Sequence, residues 1–193
     1  MWGPIRAMTL VASSSTLSEG EQAPHFELPG TDGQRYTPAA FTDAEAVLVV
    51  FTCNHCPYAE AKLPALNTLA TEVEGLAVVG INPNDASAKP EDSFERMRER
   101  VQAGEVRFDA YLRDATQETA RAYDAVCTPD PFLFRVTDAG LTLALHSRID
   151  DAMGPAATPE RFEMREAAEA VIAGDPIPVE ATPSRGCSIK WTS

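Results

Sequence analysis

The sequence has few cysteines, no long apolar run and an excess of negative charge. Only 4 of its 193 residues are cysteine, too few for a disulfide-stapled scaffold. No apolar stretch approaches the roughly 18 residues that a membrane-spanning helix needs. The first residues contain neither a sustained apolar region nor a small-residue cleavage site, so we expect no signal peptide and a cytoplasmic location. The net charge of −13 argues against nucleic-acid partners, because phosphate repels such a surface.

The chain divides into one predicted domain and two terminal segments. Residues 1–19 are rich in Ser and Thr and lack periodicity, which predicts a disordered N-terminal segment. Residues 20–175 are long enough to form one domain with its own core. Residues 176–193 are expected to be a Pro-rich C-terminal tail.

Hydrophobic patterning predicts alternating strands and helices, in the α/β class. Residues 23–28 and 35–37 alternate on either side of a Gly-containing turn, which predicts an N-terminal β-hairpin. Further strands are predicted at 46–51, 76–81, 108–112, 132–136 and 141–149. Helices are predicted at 58–73, 90–102, 116–123 and 159–173, the last ending at Gly174. Together they predict a central mixed β-sheet flanked by helices.

The most informative motif is Cys53-Asn54-His55-Cys56-Pro57, directly after the predicted strand 46–51. In a chain without export signals, two cysteines at this spacing indicate redox chemistry or metal binding. Pro is favoured at the first helical position, so Pro57 makes Cys56 the N-cap. Free backbone N–H groups and the helix dipole would then lower the Cys56 pKa and favour it as the attacking thiolate. Cys53 would attack the resulting mixed disulfide, and the reverse assignment stays open.

From about residue 20 to 172 the sequence resembles the thioredoxin-like redoxins of the alkyl hydroperoxide reductase/thiol-specific antioxidant superfamily. The segments that carry the resemblance are GEQAPHFEL at 20–28, the cysteine segment, VVGIN at 78–82 and residues 123–134. NHCPY at 54–58 and GCSIKW at 186–191 are similar to marks of one uncharacterised subgroup. The resemblance implies a thioredoxin-like fold with an N-terminal β-hairpin extension.

The resemblance also implies a site. In the family a cis proline faces the redox cysteines, and Pro129 occupies that position. The reductases of this superfamily place their first cysteine at Cys56, whereas their second falls on Ala59. A buried carboxylate often lies beneath the pair as a proton relay. Since residues 47–51 are all apolar, we expect either that His55 or water moves the proton here or that turnover is slow.

Other polar residues have weaker claims to a role. His55 could hold the Cys56 thiolate as an imidazolium or be a solvated loop residue. In one interpretation Cys127 and Cys187 are accessory thiols, and Cys187 reaches back to Cys127 or to the Cys53–Cys56 centre as an extra resolving thiol. In the other, Cys127 is a small buried hydrophobe and Cys187 has no role in the tail. Arg148 is expected to form an ion pair at a strand end, and His25 and His146 to be structural. The charged face at residues 91, 92, 95, 96 and 98–100 is expected to be solvated.

The predicted function is that of an enzyme, a thiol–disulfide oxidoreductase that cycles a Cys53–Cys56 dithiol and disulfide without any further cofactor. Its partners would be protein disulfides or small thiols, including a thioredoxin-type reductant, and the chain would be a monomer or weak homodimer without membrane contacts.

A thiol peroxidase with Cys56 as the peroxidatic cysteine is the alternative. The positions where peroxiredoxins carry Pro, Thr and Arg hold Val49, Cys53 and Pro129. A third interpretation is a non-enzymatic metal-binding or redox-sensing module using Cys53, Cys56, Cys127 and His55, although a second well-spaced ligand pair is missing.

Overall fold

The computed structural model describes residues 9–193, in which strands and helices alternate. The strands are β1 (Leu10–Ala12), β2 (Leu28–Pro29), β3 (Arg35–Tyr36), β4 (Ala46–Phe51), β5 (Leu76–Asn82), β6 (Ala110–Arg113), β7 (Cys127–Thr128), β8 (Asp130–Thr137), β9 (Gly140–His146) and β10 (Arg185–Ser188). The α-helices are α1 (Pro57–Glu72), α2 (Phe94–Gln102), α3 (Glu118–Ala122) and α4 (Glu163–Ala173). Short 3₁₀ turns lie at Pro38–Phe41 and Pro90–Asp92.

A five-stranded mixed sheet lies at the centre, in the order β6-β5-β4-β8-β9. β4 runs parallel to β5 and antiparallel to β8, and β5 runs parallel to β6. β8 and β9 form an antiparallel hairpin. The predicted N-terminal hairpin is also present, as the pair β2 and β3. The central strand β4 therefore has a neighbour on each side and ends in the middle of the sheet edge.

All six residues of β4 are buried because both faces of the sheet are covered. On one face Val47, Val49 and Phe51 pack with aromatic residues that include Tyr123 and Phe132. On the other face Leu48 and Val50 pack against side chains of α1 and α4. This two-sided burial explains the uninterrupted apolar run at residues 46–51, which an alternating, half-exposed strand would not have.

Local signals at the helix ends agree with the structure in part. Helix α4 ends at Gly174, whose φ of 75° is the left-handed conformation that glycine adopts at low cost. The predicted helix at 90–102 is instead a 3₁₀ turn followed by α2, because Ser93 caps α2 by accepting a hydrogen bond from the backbone N–H of Arg96. This break turns residues 90–92 away from the axis of α2.

The two terminal segments form part of the fold, which corrects the predicted disordered segment and tail. β10 lies between β1 and β7 in a second, antiparallel sheet. The segment 9–19 is thus partly ordered, and the C-terminal segment is tied to the body of the domain; residues 1–8 of the predicted disordered segment lie outside the described residues. Strands of three and four residues that find their partners more than 50 residues away leave no periodic signal in the sequence, which is why the prediction was wrong.

A central mixed sheet with α1 and α4 on one face and the N-terminal hairpin on the other confirms the predicted thioredoxin-like architecture. Within residues 9–193 no helix is both long and apolar enough to cross a bilayer. The carboxyl end of β4, the start of α1 and the short strand β7 meet at one end of the sheet. All four cysteines lie in these elements, in the loop that joins β4 to α1, or in β10 beside them.

Candidate active site

Cys56 is the N-cap of α1, as the sequence predicts. Its φ of −76° and ψ of 125° are extended, and Pro57 follows at the first helical position. The side chain is fully buried. Free N–H groups of the first helical turn and the positive end of the helix dipole therefore lie beside this sulfur, in an environment that stabilises a thiolate.

Cys56 forms a disulfide with Cys187 in β10, across a Cα–Cα distance of 6.3 Å. Cys53 is a buried free thiol, as is Cys127. The disulfide therefore differs from the Cys53–Cys56 pair predicted from the sequence. The physical reason is the docking of β10, which the sequence assigned to a tail; it brings a cysteine 131 residues away onto the N-cap of α1.

The peptide bond between Thr128 and Pro129 is cis, as the resemblance implied. Thr128 faces the sulfurs of the cysteine motif: its carbonyl oxygen lies 3.6 Å from the Sγ of Cys56, and its Oγ1 lies 3.2 Å from the Sγ of Cys53. β10 pairs with β7 so that Cys187 is opposite Thr128. The site thus consists of a disulfide lying on the residue before a cis proline.

Gly186 allows β10 to come this close. A Cβ atom at this position would lie 1.9 Å from the carbonyl oxygen of Thr128 and 3.0 Å from the backbone nitrogen of Pro129. These neighbours are backbone atoms and cannot rotate away. Because a side chain other than hydrogen would push the strands apart, the glycine directly before Cys187 is a steric requirement of the docked strand.

His55 is oriented by a buried carboxylate. Its Nδ1 lies 2.5 Å from the Oδ2 of Asp92, and the two side chains are 7% and 0% exposed. Burial disfavours the imidazolium, but the hydrogen bond with Asp92 and the nearby Cys53 outweigh it and raise the pKa of His55 to about 9. Burial would raise the pKa of Asp92, but the His55 hydrogen bond and the Asn54 backbone N–H together hold that pKa below its usual value. The pair is therefore charged at neutral pH.

Asp92 is the main residue of this site that the sequence did not identify. We expected it on a solvated helix face, whereas it is fully buried in the 3₁₀ turn before α2. We also expected no carboxylate near the cysteines, because the residues of β4 are apolar. The carboxylate comes instead from a different element. The one available signal is Pro90, since it precedes Asp92 by two residues and starts a turn before the amphipathic part of the helix.

The same residues have the spacing of a metal site, but hydrogen bonding explains them fully. One ligand atom each from Cys53, His55 and Asp92 lies within 4.8 Å of the others. The Oδ1 of Asp92 accepts from the backbone N–H of Asn54 at 2.6 Å and from Nδ2 of Asn82 at 3.1 Å. Its Oδ2 accepts from His55 and, at 3.0 Å, from Nδ2 of Asn84. Four N–H donors occupy both oxygens, so we assign Asp92 the orientation of His55 rather than metal binding.

Cys127 lies outside this arrangement. It is fully buried in β7, and burial together with the nearby Asp130 carboxylate raises its pKa far above the usual range. Cys187 is bonded to Cys56, so it does not reach back to Cys127, which lies opposite Ser188 instead. A thiol held neutral in this way is a poor nucleophile, which agrees with the interpretation of Cys127 as a small buried hydrophobe.

The remaining candidates are structural. His146 pairs with the buried Asp130 at 2.7 Å and stacks on the ring of Phe132 at a centroid distance of 4.1 Å. Arg148 pairs with Glu163 at 2.6 Å, which is the ion pair expected for it. His25 is exposed. None of the three contacts the cysteines of the candidate site in the part of the chain that the structure describes.

Comparison with known proteins gives one family and two close structural relatives. A model described as "AhpC/TSA family" matches residues 20–145. The chain is similar to a hypothetical protein of Sinorhizobium meliloti, with 39% identity over 94% of this chain and 98% of that one, at a TM-score of 0.82. It is also similar to an uncharacterised conserved protein of Geobacillus kaustophilus, with 36% identity over 96% and 98% and a TM-score of 0.84.

More distant structures share the fold. One is a secreted disulfide oxidoreductase of Mycobacterium tuberculosis, which is 17% identical over 77% of this chain and 95% of that one, at a TM-score of 0.52. No curated protein matches the sequence at a significant level.

Proposed function

The chain belongs to the AhpC/TSA family, and from this premise we propose that it is a thiol–disulfide oxidoreductase that exchanges disulfides at Cys56. The observation that carries the proposal is the position of the Cys56–Cys187 disulfide. It lies at the N-cap of α1 and against the carbonyl of Thr128, directly before the cis proline. A helix N-terminus stabilises a thiolate at Cys56, and the same thiolate is a good leaving group when a second thiol attacks the mixed disulfide between Cys56 and a partner.

The reaction needs only thiols and disulfides. A partner thiolate attacks Cys56, a partner–Cys56 bond forms, the Cys56–Cys187 bond breaks, and Cys187 leaves as the thiolate. A second thiol then attacks the mixed disulfide; the partner pair is oxidised and the protein is reduced by two electrons. The reverse sequence oxidises the protein again and reduces a partner disulfide.

The partners proposed are protein disulfides and small thiols, with a thioredoxin-type protein as one source of electrons. We further propose that the protein acts in the cytoplasm as a monomer or weak homodimer, without nucleic-acid or membrane contacts and without a cofactor beyond its cysteines. The net charge of −13 supports the absence of nucleic-acid partners.

The experiment traps the mixed disulfide on Cys56. In a variant carrying Cys53→Ser and Cys187→Ser, no neighbouring thiol remains to resolve the intermediate. Incubation with insulin should give a covalent adduct that peptide mass spectrometry places on Cys56. Adding Cys56→Ser should abolish the adduct, whereas adding Cys127→Ser instead should leave it unchanged, since that thiol is buried and held neutral. Absence of an adduct on Cys56 in the folded variant would refute the proposal.

A thiol peroxidase is the second candidate, favoured by the distance in sequence between the bonded cysteines. A sulfenic acid formed on Cys56 by peroxide would condense with the Cys187 thiol to the same disulfide and release water. The full burial of Cys56 under β10 disfavours this reading for the docked state. Rapid peroxide consumption that is lost in Cys56→Ser and retained in Cys53→Ser would select it.

A further inference from the structure

A free thiol is held beside the disulfide. Cys53, Cys56 and Cys187 pack with Ala59 in one buried cluster at the start of α1. The Sγ of Cys53 and the Sγ of Cys56 contact the same residue, at 3.2 Å from Oγ1 and 3.6 Å from the carbonyl oxygen of Thr128. A thiol and a disulfide in one buried cluster are the reactants of disulfide exchange, and their proximity removes the cost of an encounter.

The free thiol also lies beside an imidazole with an unused nitrogen. The Nε2 of His55 is buried and has no hydrogen-bond partner among the described residues. A ring nitrogen of His55 and the Sγ of Cys53 lie within 4.8 Å of each other. Its other nitrogen, Nδ1, is bound to Asp92. A thiol beside an imidazolium that a carboxylate orients is activated by charge, because the imidazolium favours the thiolate, which is the attacking form.

The contact between Asp92 and His55 is not incidental, because a network of hydrogen bonds holds Asp92 in place. Its carboxylate takes four N–H donors, from the backbone of Asn54 and from the side chains of His55, Asn82 and Asn84. The donors come from the motif loop, the end of β5 and the segment that follows it. The carboxylate therefore fixes the imidazole relative to Cys53 independently of β10, which contributes none of these donors.

We propose that Cys53, positioned by His55 and Asp92, attacks Cys56 within the oxidised protein and opens the Cys56–Cys187 disulfide from inside. Cys53 gives up its proton to solvent, and its thiolate lies beside the His55 imidazolium; the Cys53–Cys56 bond then forms, the Cys56–Cys187 bond breaks, and the electron pair leaves on Cys187. Cys187 then takes up a proton. No external oxidant or reductant is consumed, because one disulfide and one thiol are present before and after.

This step deepens the proposed function and rests on it only for the role of Cys56 as the exchanging cysteine. It makes the Cys53–Cys56 pair and the Cys56–Cys187 pair two isomers of one oxidation state. In the second isomer β10 loses its covalent tether and is held by noncovalent contacts, among them its strand pairing with β1 and β7. Cys56 then becomes accessible to a partner polypeptide without prior reduction of the protein.

The experiment identifies which thiol is free in the oxidised protein. The full chain, without reductant, is alkylated under native conditions and mapped by mass spectrometry at successive times. Wild type should accumulate label on Cys187, since exchange frees this thiol. Cys53→Ser should show no such label, and Cys127→Ser should behave as wild type. Equal labelling of Cys187 in wild type and Cys53→Ser would overturn the proposal, and so would a complete lack of it in wild type.

A test of the positioning role of Asp92 needs a second measurement that separates this role from a purely structural one. We expect His55→Gln to slow labelling of Cys187 on the order of 100-fold, because it removes the positive charge beside the Cys53 thiolate, and Asp92→Asn to slow it about tenfold, because the imidazole remains but loses the group that orients it. Reduction of the disulfide by external dithiothreitol, which bypasses Cys53, should keep its wild-type rate in both variants. If both rates change together, Asp92 has only a structural role and the positioning part is refuted. The insulin adduct on Cys56 reports separately on the proposed function.

Discussion

The buried His55–Asp92 pair should make the stability of the protein fall at alkaline pH. The pKa of His55 is raised from 6.5 to about 9, so folding and protonation of this imidazole favour each other. The contribution is fully present below pH 6.5, where the imidazole is protonated in both the folded and the unfolded chain. It is lost as pH rises from 6.5 through about 9, because the folded protein then binds a proton that the unfolded chain does not.

The size of the effect follows from the shift. At 1.36 kcal/mol for each unit of pKa, the 2.5-unit difference corresponds to roughly 3 kcal/mol of unfolding free energy lost across this window. At the acid end the lowered pKa of Asp92 acts in the opposite sense: its contribution is present above pH 3.8 and is lost as pH falls through the lower folded value. Between about pH 4 and 6.5 the pair should therefore give a flat maximum of stability.

Urea denaturation at a series of pH values checks this prediction. Wild type should lose stability between pH 6.5 and 9, whereas His55→Gln should be less stable at pH 6 and show a much shallower slope. His25→Gln is the matched control, since His25 is an exposed histidine of the same chain and its replacement should leave the wild-type curve unchanged. If His55→Gln keeps the full wild-type slope, the ion pair is not the source of the pH dependence and the reasoning is wrong.

Three further substitutions test the packing around the disulfide and one helix end. Gly186→Ala places a Cβ 1.9 Å from the carbonyl oxygen of Thr128, and such overpacking costs about 1–3 kcal/mol. The equilibrium constant for forming the disulfide in a glutathione buffer should therefore fall about 10- to 100-fold. Gly154→Ala is the control, because its Cβ points into open space and should leave the constant unchanged. Thr128→Val removes the hydroxyl that lies 3.2 Å from the Sγ of Cys53 and should lower the free energy of unfolding, measured in urea, by about 1 kcal/mol. An unchanged urea midpoint would show that this contact does not stabilise the fold. Gly174→Ala forces a Cβ residue to a φ of 75° and should lower the thermal midpoint at a cost of about 1 kcal/mol.

The central sheet could be predicted because its signals are local and strong. The run of six apolar residues at 46–51 coincides with β4, since a strand covered on both faces needs no polar position. Helix α1 was predicted one residue late at each end, at 58–73 instead of Pro57–Glu72. Pro57 gives the position of the N-cap from stereochemistry alone, so the placement of Cys56 also follows from the sequence.

The C-terminal strand could not be predicted, because its stability comes from distant partners. Arg-Gly-Cys-Ser at 185–188 has no alternation and little β propensity. It is held by pairing with residues 10–12 and 127–128 and by the disulfide to Cys56. The resemblance pointed to the segment at 186–191 but not to its place in the fold. The wrong choice of disulfide partner follows directly from this one missing strand.

The buried charge at the site illustrates a different limit. From spacing alone, Asp92 belongs to a run of charged residues on a helix, and such runs usually face water. It is buried because Pro90 starts a 3₁₀ turn and Ser93 starts α2 anew, so the side chain leaves the helical face and meets the loop of the cysteine motif. The motif supplies the backbone N–H of Asn54 and the side chain of His55, which both hydrogen-bond to the Asp92 carboxylate. Each half of this contact is unremarkable in sequence, and only the packing of α2 beside the motif makes them one charged pair next to Cys53. The buried carboxylate that the apolar strand β4 cannot provide therefore comes from a neighbouring turn, and the chemistry proposed for the cysteines depends on a residue nearly 40 positions away.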